Sequence, residues 1–203
     1  MDAILHFDWN IFAWTERVLD VGHNPVLDNI FAFITSLGNS GLIWLAIGAL
    51  MLFSKKLRPW GIAVMLGVAF SGLLNDLIIK PFFERPRPFD FDWPSWTGRA
   101  FYFPEIIAKP DSLSFPSGHT SSSFAPLIAL WFIPDKKSRF ALAIPGTILA
   151  ALIGFSRIYV HVHYPTDVLG GIVAGVAYGL LAVLCVKFAV KLWQKKFPSS
   201  RLV

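Results

Sequence analysis

Three short polar stretches carry the side chains of this sequence that could do chemistry. The first runs from Lys80 to Pro88 and contains Lys80, Arg85 and Arg87. The second is Pro116-Ser117-Gly118-His119. The third runs from Ser156 to Asp167 and contains Arg157, His161, His163 and Asp167. The cations call for a phosphate, which arginine holds bidentately and lysine as a point charge. Ser117 and Gly118 open an apolar run. The unpaired N–H groups of a helix starting there would point at an anion, and Gly118 would let it approach the backbone. His163 and Asp167 are separated by four positions, with Pro165 at an expected helix start between them. The carboxylate can fix one imidazole nitrogen and leave the other free to attack. His119 can protonate a leaving oxygen and then activate water. This chemistry is hydrolysis of a phosphoester or pyrophosphate through a phosphohistidine, with cationic side chains instead of a metal stabilising the charge.

The elements that must position these residues are apolar. The chain has 203 residues, 55% hydrophobic and 15% charged, with a mean hydropathy of +0.57. A soluble domain carries about 25% charged residues. These values predict an all-α, polytopic membrane bundle of one domain over 1–203, with about five transmembrane helices and N-terminal interfacial helices. The expected spans are 41–54, 59–80, 117–133, 140–158 and 165–190. Residues 1–40 form an interfacial or re-entrant segment, 41–192 the catalytic bundle and 193–203 a cytoplasmic tail. Within the first segment, 3–20 reads as an amphipathic helix too polar to span. Residues 26–38 either dip into the membrane or join the next span. No cleavable signal pattern opens the chain. A single cysteine, Cys185, excludes a disulfide framework or cysteine metal site within one chain.

The net charge of +5 does not point to nucleic acid, because most basic residues lie just beyond apolar runs. Lys55, Lys56, Arg58, Lys136, Lys137, Arg139, Lys187, Lys191, Lys195, Lys196 and Arg201 fall on one side, which the positive-inside rule assigns to the cytoplasm. The three polar stretches then converge on the opposite, extracytoplasmic side of an inner or plasma membrane. Trp44, Trp60, Trp131 and Trp193 lie near span ends, as interface anchors do.

Lys80-x6-Arg87-Pro88, Pro116-Ser117-Gly118-His119 and Ser156-Arg157-x5-His163-x3-Asp167 resemble, in order and spacing, the three signatures of the type 2 phosphatidic acid phosphatase superfamily. The resemblance implies an all-helical membrane bundle that needs no metal and no other cofactor. It implies His163 as nucleophile assisted by Asp167, and His119 as general acid and base. Lys80, Arg87, Ser117, Gly118 and Arg157 would hold the phosphate. The implied partner is a membrane lipid phosphate or pyrophosphate. The compact chain resembles the short carrier-lipid members, which favours undecaprenyl pyrophosphate, with phosphatidate or phosphatidylglycerol phosphate as the near alternative. A non-hydrolytic lipid-binding or flipping protein would need neither a nucleophile nor a proton donor. The chain departs from six-span members at its N-terminus, where an interfacial segment stands in for a first span.

Other residues have plainer readings. His161 does not suit the dyad spacing and reads as structural. Arg85 lies off the motif register, leaving surface, headgroup and phosphate contact open. Asp76 lies one helical turn before Lys80 and can pair with it. Gly171, Gly175 and Gly179 suit close helix packing. Trp93, Trp96, Phe101, Tyr102 and Phe103 would line a lipid tail or anchor the outer connection at the interface.

Overall fold

The computed structural model describes residues 2–197, and every regular element among them is helical. In chain order the α-helices are α1 (Asp2–Leu19), α2 (Pro25–Leu37), α3 (Leu42–Met51), α4 (Arg58–Leu74), α5 (Lys80–Phe83), α6 (Trp93–Thr97), α7 (Gly118–Trp131), α8 (Lys136–Tyr159) and α9 (Pro165–Lys196), with 3₁₀ turns at Asn39–Gly41 and Pro88–Asp90. A π-helical turn, Asn75–Ile79, joins α4 to α5. Arg201, counted above in the basic tail, lies outside the described residues.

Local chemistry sets the ends. The Asn24 side chain accepts from Leu27 N and caps α2, whose first residue is Pro25. Asp135 caps α8 by accepting from Ser138 N at 2.9 Å. Between α2 and α3, Ser40 and Gly41 both take positive φ, 52° and 66°. The chain bends there by 47°, and the two short helices are together long and apolar enough for either a broken span or a re-entrant pair. Residues 26–38 form the first arm of that pair.

Among the described residues, three stretches are long and apolar enough to cross a membrane: Arg58–Asp90, α8 and α9; the bent pair makes a fourth if it is one span. The fifth expected span, 117–133, differs. As α7 it has 14 residues, about 21 Å of helix against a hydrocarbon core of about 30 Å. It stands inside the bundle against α4, α8 and α9. Its buried face includes Thr120, Ser121, Ser123, Ala125 and Leu130. Protein rather than lipid surrounds its serines, so their hydroxyls find partners: Ser121 Oγ meets Ser71 Oγ at 2.7 Å, and Ser123 Oγ accepts from Trp44 Nε1 at 3.0 Å. The α9 glycines fit this packing. A Cβ at Gly171 would stand 2.8 Å from Ser117 O, and one at Gly175 2.8 Å from Ser121 O.

The bundle's outer surface is apolar, with Phe53, Leu50 and Val173 at least 70% exposed, as lipid contact requires. Two indoles placed above at the interface are instead core: Trp44 and Trp60 are buried among Val64, Leu130 and Val183. Trp131 and Trp193 are exposed. Trp93 neither lines a tail nor anchors a loop. It is fully buried, donates to Pro88 O at 2.7 Å and stacks on Phe101. The larger correction concerns α1. Its outer face shows Ile4, Phe7, Trp14 and Val18, yet Asp8, Phe12 and Thr15 are buried against the α8–α9 loop and the connection after α5. The helix is amphipathic as expected, but its inner face belongs to the protein core.

Lys56 and Asp135 pair at 3.1 Å, tying together the two basic turns at one end of the bundle. The 24 residues of α8 lead from that end to Tyr159, and the polar stretches meet at the other.

Candidate active site

At that end a cavity of about 440 Å³ is lined by Thr35, Asn39, Lys80, Arg87, Ser112, Gly118, His119, Arg157 and His163, among others. These residues come from several elements, for reasons visible in the sequence. Pro86 and Pro88 hold Arg87 extended, at ψ 159°. Ser117 caps α7 by accepting from Thr120 N and Oγ1, at 3.4 and 2.9 Å. Ser117 N donates to Asp167 O at 3.0 Å, which locks the start of α7 to the start of α9. A Cβ at Gly118 would meet no protein atom within 4 Å, so this helix start opens directly on the cavity.

His163 sits at the centre. Arg87 Nη1 lies 2.9 Å from its Nε2. A guanidinium can only donate, so Nε2 carries a lone pair and Nδ1 the proton. Nδ1 faces Asp167 Oδ2 at 3.4 Å. Burial first, and then Arg87, Arg157 and Lys80, push the imidazole well below its usual 6.5. The ring is therefore neutral at neutral pH, with its lone pair directed toward cations. Arg87 is held by Ser112 O at 2.7 Å and Val162 O at 2.7 Å. Arg157 is buried, donates to Thr35 Oγ1 at 2.5 Å, and its Nε has no partner. A buried donor without an acceptor is costly unless a ligand supplies one. Lys80 pairs with Asp76 at 2.7 Å, the bridge suggested by their spacing.

His119 reaches the same cavity from α7. Its Nε2 lies 3.0 Å from Asn39 Oδ1. Gly38 makes that approach feasible, because a Cβ there would stand 2.7 Å from the His119 ring. His119 and His163 therefore flank one space, with Lys80, Arg87 and Arg157 around it. The arrangement can hold an anion, attack it from one side and protonate it from the other.

Asp167 is satisfied from every direction. Its Oδ1 accepts from Arg85 Nη1 at 2.6 Å, and its Oδ2 from Ser114 Oγ at 2.5 Å and Tyr164 N at 3.0 Å. Arg85, left open by its register, points away from the cavity. Its Nη2 donates to Asp8 Oδ2 at 2.7 Å, and its guanidinium lies 3.7 Å from the Tyr164 ring. His161 also faces away, with Nδ1 2.9 Å from Tyr102 O and Nε2 3.2 Å from Thr15 Oγ1. All eight residues singled out from sequence lie in or directly behind the cavity. Thr35, Asn39, Ser112, Ser114 and Asp8 were not singled out. Asn39 stood in a break between apolar runs, and the only signal at Asp8 was a charge on a short amphipathic helix.

The profile described as PAP2 superfamily matches residues 60–191. The chain belongs to this superfamily. It is 37% identical over 161 residues to the undecaprenyl-diphosphatase BcrC of Bacillus subtilis, covering 78% of this chain and 75% of that protein. It is 33% identical over 173 residues to phosphatidylglycerophosphatase B of the same organism, covering 80% and 75%. Among solved structures, a transmembrane PAP2-type phosphatidylglycerolphosphate phosphatase from Bacillus subtilis superposes with a TM-score of 0.69 at 26% identity, covering 99% of this chain and 90% of that one. The protein is accordingly a multi-pass membrane phosphatase of the PAP2 superfamily that acts on lipid phosphates.

Proposed function

We propose that this phosphatase removes the terminal phosphate of undecaprenyl pyrophosphate at the extracytoplasmic face of the cell membrane. One observation carries the mechanism: the His163 Nε2 lone pair, held by Arg87 beside the partnerless Arg157 Nε. An arriving phosphate offers both arginines better acceptors, and Nε2 is released to attack phosphorus. The P–N bond forms as the bond to the lipid-bearing oxygen breaks. Asp167 stabilises the imidazolium through Nδ1–H, and His119 gives a proton to the departing oxygen. Water then attacks the phosphohistidine, His119 takes its proton, and orthophosphate leaves. Lys80, Arg87, Arg157 and the α7 helix start at Gly118, which Ser117 holds in place, neutralise the transferring group, so the reading needs no metal.

The likeness to an undecaprenyl-diphosphatase supports the pyrophosphate; the likeness to a phosphatidylglycerophosphatase supports a second reading, phosphatidylglycerol phosphate. The basic turns at the opposite end support the outward face. Phosphate release in detergent with EDTA separates these. The expected outcome is the highest kcat/KM on undecaprenyl pyrophosphate, with EDTA changing rates less than about twofold. A tenfold preference for phosphatidylglycerol phosphate would establish the second reading, and activity restored only by Mg²⁺ or Zn²⁺ would sink the metal-free mechanism. For orientation, a cysteine placed in 90–110 on a Cys185→Ser background should react with an impermeant thiol reagent in cells lacking an outer membrane. One at Ser138 should not, and the reverse pattern would invert the topology.

A further inference from the structure

We propose that Asp8, on the N-terminal helix, is a positioning residue for phosphoryl transfer, acting through Arg85 to hold Asp167 against His163. The inference rests on the reading of His163 as nucleophile. Asp8 has no exposed surface, although it belongs to an amphipathic helix with an exposed opposite face. A buried carboxylate persists only where donors surround it. Asp8 Oδ1 accepts from Thr166 N at 2.9 Å, and Oδ2 from Thr166 Oγ1 and Arg85 Nη2, each at 2.7 Å. Arg85 then spends its other terminal nitrogen on Thr166 Oγ1 at 2.8 Å and Asp167 Oδ1 at 2.6 Å. The Tyr164 ring, 3.7 Å away, fixes the guanidinium plane.

The bridge determines which Asp167 oxygen Arg85 engages. With Arg85 shared between two carboxylates, it takes only Oδ1 of Asp167, and Oδ2 is left to Ser114 Oγ, Tyr164 N and His163 Nδ1. Without the charge on Asp8, Asp167 is the only carboxylate bound to Arg85. A guanidinium facing a single carboxylate favours the bidentate arrangement, which would engage Oδ2 as well. The Nδ1···Oδ2 separation is already 3.4 Å, so competition there would loosen the tautomer and aim of the nucleophile. Neither Asp8 nor Arg85 lines the phosphate cavity. The effect should therefore fall on the chemical step and not on substrate binding.

A double-mutant cycle on the full-length protein in detergent tests this. Phosphoenzyme formation is followed in single turnovers for wild type, Asp8→Asn, Asp167→Asn and the double variant. Asp8→Asn should lower the rate about tenfold with KM within about twofold, the size of a small misplacement of a reacting group. In the Asp167→Asn background the same change should cost less than about twofold, because its route has been removed. Equal losses in both backgrounds, a loss confined to KM, or no loss at all would overturn the role of Asp8. If Asp8→Asn does not fold, Thr166→Val removes only the hydroxyl shared by Asp8 and Arg85. Its loss should be about threefold and should likewise vanish without Asp167; an additive loss again refutes the proposal. A wild-type protein that forms no phosphoenzyme would fail the reading of His163 instead, a distinct result.

Discussion

His161 and His163 stand two residues apart in one loop, both buried, and they face opposite walls. His161 faces α1 and the connection between α6 and α7, packed by Phe12 at 5.0 Å and Phe101 at 5.4 Å between ring centroids. Tyr102 O can only accept, so its Nδ1 carries the proton and the ring serves as a strut. His163 faces the cavity, where its lone pair meets Arg87 and a ligand could replace that contact. Burial is the largest cause of a lowered pKa in both, down to about 4 for His161. A depressed pKa therefore does not mark the proposed nucleophile. What marks it is a lone pair held by a donor that a phosphate can recruit.

Substitutions should separate the two walls sharply. His163→Gln should reduce phosphate release by about 10⁴-fold or more, as losing a covalent nucleophile does, whereas His161→Asn should leave kcat within about twofold. Comparable losses in the two variants would erase the distinction. Arg157→Lys should cost about 10²-fold in kcat/KM, because an ammonium cannot supply the Nε donor beside the nucleophile. A variant as active as wild type would mean that Arg157 only braces α2 through Thr35. Ser114→Ala removes one hydrogen bond to Asp167 Oδ2 and should lower kcat about tenfold with KM unchanged, since Ser114 does not line the cavity. A rise in KM alone would place Ser114 in substrate binding.

The cavity wall was readable in sequence because its residues are polar interruptions of apolar runs, where a buried cation or imidazole has few uses. The helical bundle was readable for the same reason, from the runs themselves. The opposite wall was not. Asp8, Arg85 and Thr166 are linked across separations of 77 and 158 positions, and nothing local tells Asp8 on a docked helix from Asp8 on a solvated one. The shortness of α7 escaped for another reason: hydropathy measures affinity for lipid, and a helix wrapped by protein owes nothing to lipid. Trp44 and Trp60 were misplaced because an indole near a span end serves equally as an anchor or as core. Asn39 went unread because Gly38-Asn39-Ser40-Gly41 looks like any turn until the bend brings it to His119.

The smallest expected effect, on stability, distinguishes the two histidines by pH. Both are neutral in the folded state with pKa values below 6.5, while the unfolded chain protonates them near 6.5. Below pH 6.5 the unfolded state therefore binds more protons. The stability due to their neutral burial is fully present above 6.5 and is lost as pH falls, for His161 down to about 4. Each contributes a slope of at most about 1.4 kcal/mol per pH unit in that window. His161→Asn is the informative change. Asparagine tolerates the left-handed backbone at this position, φ 55°, and its amide can still donate toward Tyr102 O. The variant should be less stable than wild type at pH 8, and the gap should narrow between pH 6.5 and 4 because one titrating group is gone. Thermal unfolding in detergent across that range measures both slopes. The acid limb of kcat/KM should lie below 6.5 in both proteins, since His163 stays neutral there. Parallel stability curves would show that His161 does not titrate on unfolding. A shift of the acid limb in the variant would couple His161 to the nucleophile, and the two walls would no longer be separate.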